Sequence, residues 1–256
     1  MPPAPIVIGI SATPERYQAV IEGTSRTSRR HQIGADVVRA SGLIKEHILT
    51  SHAGEKQTDE MALLGRAAAT WKEVTDAWRG YCLAQHEELV EPALIVQVEN
   101  EADGATGGGP GRSKTDLEAA IRAINDAAGP LPDNAFVHAF QERTDITVGG
   151  RPVRYVAPPR ISDDADANVV LFKTSLNQGW DCPRAEVMFS FRKATDYTSI
   201  AQLIGRMVRA PLARRIEEDE RLNAVDLFLP HYDTKALGQI IKVLTETGDS
   251  AIADAI

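Results

Sequence analysis

The chain has 256 residues, of which 43% are hydrophobic and 25% charged, and its net charge is −8 at pH 7. This balance excludes a disordered, collagen-like or coiled-coil chain, and the length is sufficient for a substantial buried core. No apolar run approaches the ~18 residues of a membrane span, and the N-terminal residues lack a signal-peptide pattern. The two cysteines are isolated from each other, which fits a reducing compartment. We therefore expect a cytoplasmic protein with no membrane partner.

Charge is unevenly distributed along the chain. Residues 173–215 contain eight lysines and arginines but only three acidic residues. This segment therefore carries a net +5, which leaves −13 for the remainder of a chain whose total is −8. A basic segment on an acidic chain is typical of a protein that binds a polyanion in a cleft.

The first third of the chain predicts a strand, a connector and a long helix. Residues 5–10 are a short apolar run that leads into a Ser-Ala-Thr-Pro turn. Residues 16–57 have no clear hydrophobic period and predict an irregular connector. From 59 to 91 apolar residues recur at steps of three and four, which predicts a long amphipathic helix. We expect its tryptophans, Trp71 and Trp78, to anchor a core.

Strand and helix patterns alternate in the remainder of the chain. Short apolar runs predict strands at 93–98, 135–139, 153–156, 169–172, 187–191 and 224–229. Amphipathic runs predict helices at 115–127, 199–208 and 234–244. This alternation indicates an α/β fold whose parallel sheet is covered by helices on both faces. Ligands bind such sheets at the carboxyl ends of the strands, so we expect a site there.

A glycine-rich loop, Gly107–Thr115 (GGGPGRSKT), lies between a predicted strand and a predicted helix, where a phosphate-binding loop belongs. The Walker pattern G-x-x-x-x-G-K-[ST] has a glycine before its lysine, whereas Ser113 precedes Lys114 here. That glycine lets the backbone wrap the phosphates closely, so its absence favours a flexible surface loop. An independent NTPase that uses this loop is the alternative, and changing Lys114 would then abolish nucleotide binding.

The segment Ser199–Arg209 (SIAQLIGRMVR) combines an apolar side with a polar row. On a helix, Gln202, Gly205, Arg206 and Arg209 lie along one side, opposite residues that can face a core. Two guanidiniums and an amide beside a glycine suit the oxygens of a phosphate. The alternative interpretation is an amphipathic surface helix with solvated arginines.

The segment Phe172–Ala185 (FKTSLNQGWDCPRA) follows a predicted buried strand. Its lysine, hydroxyl groups and glycine are suited to contacts with a phosphate backbone. Asp181 can receive either an arginine or a ribose hydroxyl. We expect Trp180 to be a packed wedge rather than a surface for stacking bases.

Three of these motifs together resemble superfamily 2 helicases. SATP (Ser11–Pro14), the Gly-Trp-Asp loop and Q-x-x-G-R-x-x-R are similar to the third, fifth and sixth motifs of that family, in the same order. The pattern is closest to the DEAD/DEAH-like group that contains the helicase (Res) subunits of type III restriction enzymes. In these proteins two RecA-like lobes clasp ATP between them and bind nucleic acid across their top. The resemblance therefore implies a RecA-like sheet with helices on both faces.

The resemblance also divides the chain into three regions. Residues 1–58 would hold the last strand of a first lobe and a connector, residues 59–91 the long helix, and residues 92–256 the second lobe. The sequence contains no G-x-x-x-x-G-K-[ST] and no DEAD-type acidic box, the elements that hold phosphates and Mg²⁺ in the first lobe. We therefore expect a carboxyl portion of a larger helicase that lacks ATPase activity alone and works with a first lobe in cis or in trans.

The resemblance places one group of residues at ATP. Arg206 and Arg209 would face the γ-phosphate, with Arg209 as the arginine finger and Gln202 as a supporting contact. Three more residues would line the cleft between the lobes, namely Gly179, Asp181 and Gly205. The ligand would be ATP with Mg²⁺, whose protein ligands are expected on the first lobe.

A second group would contact nucleic acid or couple the lobes. Ser11 and Thr13 would connect the nucleotide state to lobe movement. Lys173, Thr174 and Ser175 would touch the nucleic-acid backbone. The family indicates DNA as the partner, although these residues do not exclude RNA because helicase lobes grip mostly backbone.

The resemblance predicts the carboxyl-terminal half of an ATP-dependent DNA helicase or translocase. The alternative from a different class is a non-enzymatic nucleic-acid- or protein-binding module that retains a helicase lobe. Such a module would bind a single strand without hydrolysis even when a first lobe is supplied. The six histidines have no HExxH or paired metal spacing, so no metal site is predicted from them.

Overall fold

Helices and strands alternate through the part of the chain that the computed structural model describes, which comprises residues 29, 31, 33, 35–52, 59–100, 113–177, 180–192, 197–231, 235, 238–240 and 254–255. The helices are α1 (Ala35–Ala40), α2 (Glu60–Gln85), α3 (Leu117–Ala128) and α4 (Tyr197–Met207). The strands are β1 (His47–His52), β2 (Ala93–Gln97), β3 (Phe136–His138), β4 (Ile146–Val148), β5 (Arg151–Tyr155), β6 (Val169–Phe172), β7 (Ala185–Ser190), β8 (Ala224–Leu229) and β9 (Asp254–Ala255). Single 3₁₀ turns occupy Asp133–Ala135, Pro158–Arg160, Ser175–Asn177 and Glu220–Asn223.

The strands form one sheet in the order β4-β5-β3-β6-β2-β7-β8-β1-β9. Every pairing is parallel except that of β4 with β5, which is antiparallel. Every residue of β2, β6 and β7 is buried, as expected for central strands that are covered on both faces. The predicted α/β class with a mostly parallel sheet is confirmed.

Each face of the sheet carries its own hydrophobic core. In β2, Leu94 and Val96 point to the face on which α2 and α3 pack. Ile95 points to the opposite face and shares a core there with Leu203 and Ile204 of α4. This alternation follows from the two-residue period of a strand. Helices therefore cover both faces, as the sequence predicts.

The long helix α2 matches its prediction over most of its length. It begins after Asp59, whose carboxylate accepts hydrogen bonds from two backbone N–H groups of the first turn. Trp71 and Trp78 are 3% and 0% exposed, so both are core anchors. The helix ends at Gln85, six residues before the predicted end, because His86 adopts the left-handed conformation that terminates helices. No helix in the described ranges is both long and apolar enough to cross a membrane.

The predicted irregular connector is wrong in part. Within residues 16–57 the structure forms α1 and β1, and β1 pairs in parallel with β8. The sequence did not reveal β1 because His47, Thr50 and Ser51 interrupt its apolar residues, so no apolar run appears. The boundary predicted at residue 58 therefore falls between a strand of the sheet and the helix that packs on that sheet. The predicted strand at 5–10 and the Ser-Ala-Thr-Pro turn lie outside the described residues.

The antiparallel hairpin β4–β5 extends the predicted strand at 153–156. Gly149 and Gly150 connect its two strands and have φ values of 57° and 82°. Two residues with positive φ are what a tight hairpin turn requires, which explains the two glycines. Of the predicted helix at 234–244, Lys235 and residues 238–240 are helical, and the other residues lie outside the described part.

Candidate functional site

Two arginines of the α4 segment contact the loop that precedes β7. Arg206 Nη1 donates to the backbone carbonyl of Trp180 at 2.7 Å, and Arg209 Nη1 lies 2.5 Å from Asp181 Oδ2. The partners are 26 and 28 residues apart in sequence. The fold thus brings Trp180 and Asp181 into contact with the arginines at and just beyond the end of α4. We call these four residues the arginine surface.

The apolar side of α4 determines where the arginines lie. Its buried residues are at most 3% exposed and are Ile200, Leu203, Ile204, Met207 and Val208. The opposite side leaves Gln202 exposed, as the helical period predicts. Arg209 is also exposed, but it lies two residues beyond the end of α4 and forms a β-bridge with Ile44, so the predicted helical row ends before it. Because α4 connects the parallel strands β7 and β8, it runs back from the carboxyl end of β7. Its last turn therefore lies toward the amino edge of the sheet, not at the carboxyl edge where we expected the site.

The ion pair between Arg209 and Asp181 is open to solvent. The two side chains are 56% and 49% exposed. Exposed pairs of this kind contribute only about 0–1 kcal/mol, so another anion can displace the carboxylate. A guanidinium has five N–H donors, and the contact with Asp181 uses one nitrogen of Arg209. Arg209 is therefore suited to bind a phosphate at the surface of the chain.

The remaining predicted ATP residues lie along the same helix or outside the described part. A Cβ atom added to Gly205 would meet nothing within 4 Å, so packing within the described chain does not require a glycine there. This open space next to Arg206 would admit a ligand or another backbone. Gln202 is exposed one turn before Arg206. Gly179 lies outside the described residues, and so do Ser11 and Thr13, the two residues predicted to couple the lobes.

Trp180 and Cys182 anchor the loop beneath the arginine surface. Trp180 is 2% exposed and belongs to the core on the α4 side of the sheet, which confirms it as a packed wedge. Cys182 lies in the same core, and burial raises the pKa of its thiol to about 11. A thiol of that pKa remains protonated at neutral pH, so Cys182 serves in packing rather than in nucleophilic chemistry.

The predicted nucleic-acid residues lie at a different place, after the carboxyl end of β6. Lys173 Nζ is 3.4 Å from Glu142 Oε1 and 4.9 Å from the centre of the Phe140 ring. Ser175 Oγ donates a hydrogen bond to the carbonyl of Ala139. Thr174 is half-buried between them. Lys173 and Ser175 follow the carboxyl end of β6, whereas Trp180 and Asp181 precede the amino end of β7, so the two groups lie toward opposite edges of the parallel sheet.

A buried polar cluster at the carboxyl ends of the central strands was not predicted. Ser190 Oγ donates to Gln97 Oε1 at 2.8 Å, and Gln97 Nε2 donates to the carbonyl of Lys173 at 3.2 Å. The backbone N–H of Arg192 donates to Ser190 Oγ at 3.2 Å. These bonds join β2, the end of β6 and β7. A polar residue within an apolar run, as in ALIVQV and VMFSF, is the pattern that could have revealed them.

Most cations of the basic segment have partners within the chain. Arg184 is buried, and its guanidinium donates to four backbone carbonyls, those of Glu91, Ile161, Asp164 and Ala167. Arg214 pairs with Glu87, and Arg215 pairs with Glu46 and Glu220. The net charge of the segment therefore overstates the charge that it offers to a polyanion.

The end of the glycine-rich loop is occupied by contacts with its own backbone. Ser113 Oγ donates to the carbonyl of Glu99 at 2.5 Å, and the N–H of Glu99 donates to Thr115 Oγ at 3.1 Å. The hydroxyls that a phosphate loop would turn toward a ligand instead hold the chain next to β2. This arrangement favours the surface-loop interpretation for residues 113–115, whereas residues 107–112 lie outside the described part. In the described ranges no group of three or more His, Cys, Asp or Glu side chains is arranged to hold a metal ion.

Comparisons with known proteins find a likeness among solved structures. No protein-family model matches the chain, and no curated protein matches it. Among solved structures it is similar to the "fragment structure of a putative HsdR subunit of a type I restriction enzyme from Vibrio vulnificus YJ016", with 12% identity and a TM-score of 0.42. The match covers 84% of this chain and 36% of that chain, so this chain spans about a third of that structure. The α/β fold rests on the strand pairing itself, and the resemblance to type III enzymes remains a prediction.

Proposed function

We propose that this chain supplies the second RecA-like lobe of an ATP-dependent DNA helicase or translocase. The observation that carries the proposal is the arginine surface, in which Arg206 and Arg209 both contact the loop at Trp180 and Asp181. Two motifs that resemble those of one motor family are thus in contact although they are distant in sequence. The type III restriction subunit is the class that the motif order favours.

Arg209 acts as the arginine finger in this proposal. Asp181 holds the guanidinium at the surface in an exposed pair. When a first lobe brings ATP to this surface, phosphate oxygens replace the carboxylate, because a planar guanidinium binds two oxygens at once. Arginines in this role accelerate phosphoryl transfer by roughly 10³–10⁵-fold through charge stabilisation. Arg206 keeps the loop close to α4 by donating a hydrogen bond to the Trp180 carbonyl. Gln202 is a supporting contact for the same ATP phosphate.

The nucleic-acid contacts belong to the other end of the same loop. Lys173, Thr174 and Ser175 follow β6 and would meet a DNA backbone, or an RNA backbone, at the carboxyl edge of the sheet. The chain continues from Ser175 to Asp181 within six residues. A movement of the bound nucleic-acid strand would therefore be transmitted along this loop to the arginine surface. Ser11 and Thr13 would complete the coupling toward the first lobe. Mg²⁺, held by protein ligands on the first lobe, would neutralise phosphate charge.

ATP hydrolysis in the presence and absence of single-stranded DNA tests the proposal. The chain is assayed alone, and then together with a first helicase lobe that carries a Walker A lysine and an acidic box. We expect hydrolysis only in the mixture, and Arg209→Ala should lower kcat by roughly 10³-fold or more because the finger is lost. Arg122→Ala is the matched control, since Arg122 forms a similarly exposed pair with Glu118 on α3.

Each other outcome has a distinct meaning. Hydrolysis by the chain alone, lost in Lys114→Ala, would contradict the proposal and favour an NTPase built on Gly107–Thr115. A mixture that binds oligo(dT) but does not hydrolyse ATP, when a control pair of lobes does, would favour the non-enzymatic binding module. Equal activity of Arg209→Ala and the parent would remove Arg209 from the site.

A further inference from the structure

Lys45 is a buried cation beside the arginine surface. It is 2% exposed, and it lies in the turn that leads into β1. Three oxygens surround its ammonium group: Glu186 Oε2 at 2.9 Å, and the backbone carbonyls of Pro183 and Met207, each at 3.3 Å. The two carbonyls accept hydrogen bonds from the ammonium, and the Glu186 carboxylate forms an ion pair with it.

The partner of Lys45 is more deeply buried still. Glu186 lies in β7 and is 0% exposed, and its Oε1 accepts a hydrogen bond from Trp78 Nε1 at 3.1 Å. Burial raises the pKa of Glu186, and the charge of Lys45 opposes that rise. Removing a charge from water is costly, and a buried pair contributes little net stability over a well-packed apolar pair. Stability alone therefore does not explain why a lysine occupies this position.

The backbone of this turn runs directly beside Arg209. The N–H of Lys45 donates to the carbonyl of Val208 at 2.6 Å, and the N–H of Ala210 donates to the carbonyl of Leu43 at 2.9 Å. Ile44 and Arg209 form an antiparallel bridge between these two bonds. Residues 43–45 and 208–210 are thus paired like two short strands, with Arg209 at the centre.

The two carbonyls that Lys45 holds belong to the two halves of the arginine surface. Pro183 lies two residues after Asp181 in the loop that precedes β7. Met207 is the last residue of α4 and lies between Arg206 and Arg209. A cation is favourable at this end of a helix because the final carbonyls carry partial negative charge.

We propose that Lys45 is a positioning residue that fixes Arg209 relative to the Asp181 loop. Its ammonium joins the Pro183 carbonyl of the loop to the Met207 carbonyl of the helix, so the two parts keep their separation when the exposed Arg209–Asp181 pair opens. An apolar residue of the same size would fill the space but would not join the carbonyls. The catalytic consequence rests on the proposed role of Arg209, whereas the geometric role does not.

Three variants of the full chain separate positioning from packing. Lys45→Met removes the ammonium and leaves Glu186 buried without its cation. Glu186→Gln keeps the ammonium on both carbonyls and keeps an acceptor for Trp78. Lys45→Met combined with Glu186→Gln removes both charges. Lys72→Met is the matched control, because Lys72 forms an exposed pair with Asp76 on α2.

The first measurement is made on the chain without any partner. Side-chain Nε–Hε resonances of Arg206 and Arg209 are assigned by Arg→Lys substitution, and the Tm of each variant is recorded. We expect Glu186→Gln to lower the Tm and to leave both resonances in place. We expect the double variant to regain Tm relative to Lys45→Met, while the Arg209 resonance shifts and exchanges faster with water.

The second measurement is the ATPase assay with a first lobe. In the double variant we expect kcat to fall by about 10²-fold with a nearly unchanged KM for ATP, because a displacement of about 1 Å at a reacting group costs that much. If the parent mixture is inactive but the arginine resonances shift as expected, then the proposed function fails and the positioning role stands.

Two results would overturn the positioning role. The first is a double variant whose Arg206 and Arg209 resonances match those of the parent, since Lys45 would then only neutralise Glu186. The second is a double variant that does not fold while Glu186→Gln does, since Lys45 would then be required by the core before it acts on Arg209.

Discussion

His138 illustrates how burial controls a single titrating group in this molecule. It is fully buried at the end of β3, where Nδ1 accepts a hydrogen bond from the Phe140 N–H at 3.2 Å and Nε2 lies 2.9 Å from the carbonyl of Thr144. These partners require a neutral ring with its proton on Nε2. Burial lowers the pKa of His138, and Lys173 acts in the same direction, whereas the Thr144 carbonyl, Glu142 and Asp145 oppose the shift.

Stability should therefore depend on pH through His138. Since the pKa of the folded state lies below the ordinary value of 6.5, the unfolded chain takes up this proton first as pH falls. The contribution of His138 to the free energy of unfolding is fully present above pH 6.5 and is lost as the pH drops toward the folded-state pKa. Urea unfolding at pH 7.5 and 5.5 should give a lower free energy of unfolding at pH 5.5. His138→Gln should reduce that difference, and His31→Gln, at an exposed position, should not.

At this scale the sequence predicts side-chain burial better than side-chain partners. The burial of Trp180 and of the apolar side of α4 was expected, whereas the predicted polar row placed Arg209 on a helix that ends at Met207. The partner of Asp181 was left open between an arginine and a ribose hydroxyl, because that contact joins residues 28 positions apart. Lys45 carried no pattern at all, since a lysine in a polar stretch is usually exposed.

At the scale of elements, a tight turn holds the segment that pairs with Arg209. Gly42 has a φ of 70°, and a Cβ atom added there would lie 2.3 Å from the backbone nitrogen of Arg215. Both the left-handed backbone and the close approach therefore require glycine. The position of residues 43–45, and with it the pairing beside Arg209, depends on this turn.

Gly42→Ala should consequently destabilise the chain by about 2–4 kcal/mol, from left-handed strain together with the overlap. Gly80→Ala provides a control of opposite sign. A Cβ atom at Gly80 meets nothing within 4 Å on the exposed side of α2, and alanine favours a helix by about 0.5–1 kcal/mol. Urea unfolding midpoints measure both changes. Equal midpoints for Gly42→Ala and the parent would contradict the turn geometry.

Element prediction succeeded where the hydrophobic period was unbroken. The apolar runs in β2, β6, β7 and β8 and the stripes of α2, α3 and α4 are long enough to identify both type and place. β1 was missed because polar residues interrupt it, and its strand character comes from pairing with β8. β4 was also missed, although Gly149-Gly150 between two short runs is a common hairpin pattern.

The described part of the molecule is organised around one sheet. β1 precedes the boundary at residue 58 and α2 follows it, yet both are built onto the sheet that the remaining strands form. The two cores share the central strands, whose alternate residues face opposite sides. Loss of either core would therefore expose the strands that support the other.

This arrangement predicts that β1, α2 and the strands that follow α2 unfold in a single transition. Trp71 and Trp78 report from α2, and Trp180 reports from the core on the α4 side. Tryptophan fluorescence and far-UV circular dichroism should give the same urea midpoint, because both follow the same sheet. Trp180→Phe should leave the fluorescence midpoint equal to its circular dichroism midpoint. Separate midpoints would indicate that the long helix unfolds independently of the sheet.

The antiparallel hairpin at one border of the sheet has a consequence for association. Without β4, the outer side of β5 would present a row of unpaired backbone N–H and C=O groups, and such a row attracts strands from other chains. β4 covers that side, and with three residues it is itself too short to recruit a neighbour efficiently. Growth of the sheet into fibrils or swapped dimers is thereby discouraged at this border. A partner lobe would have to dock through side chains, not by adding a strand at this border.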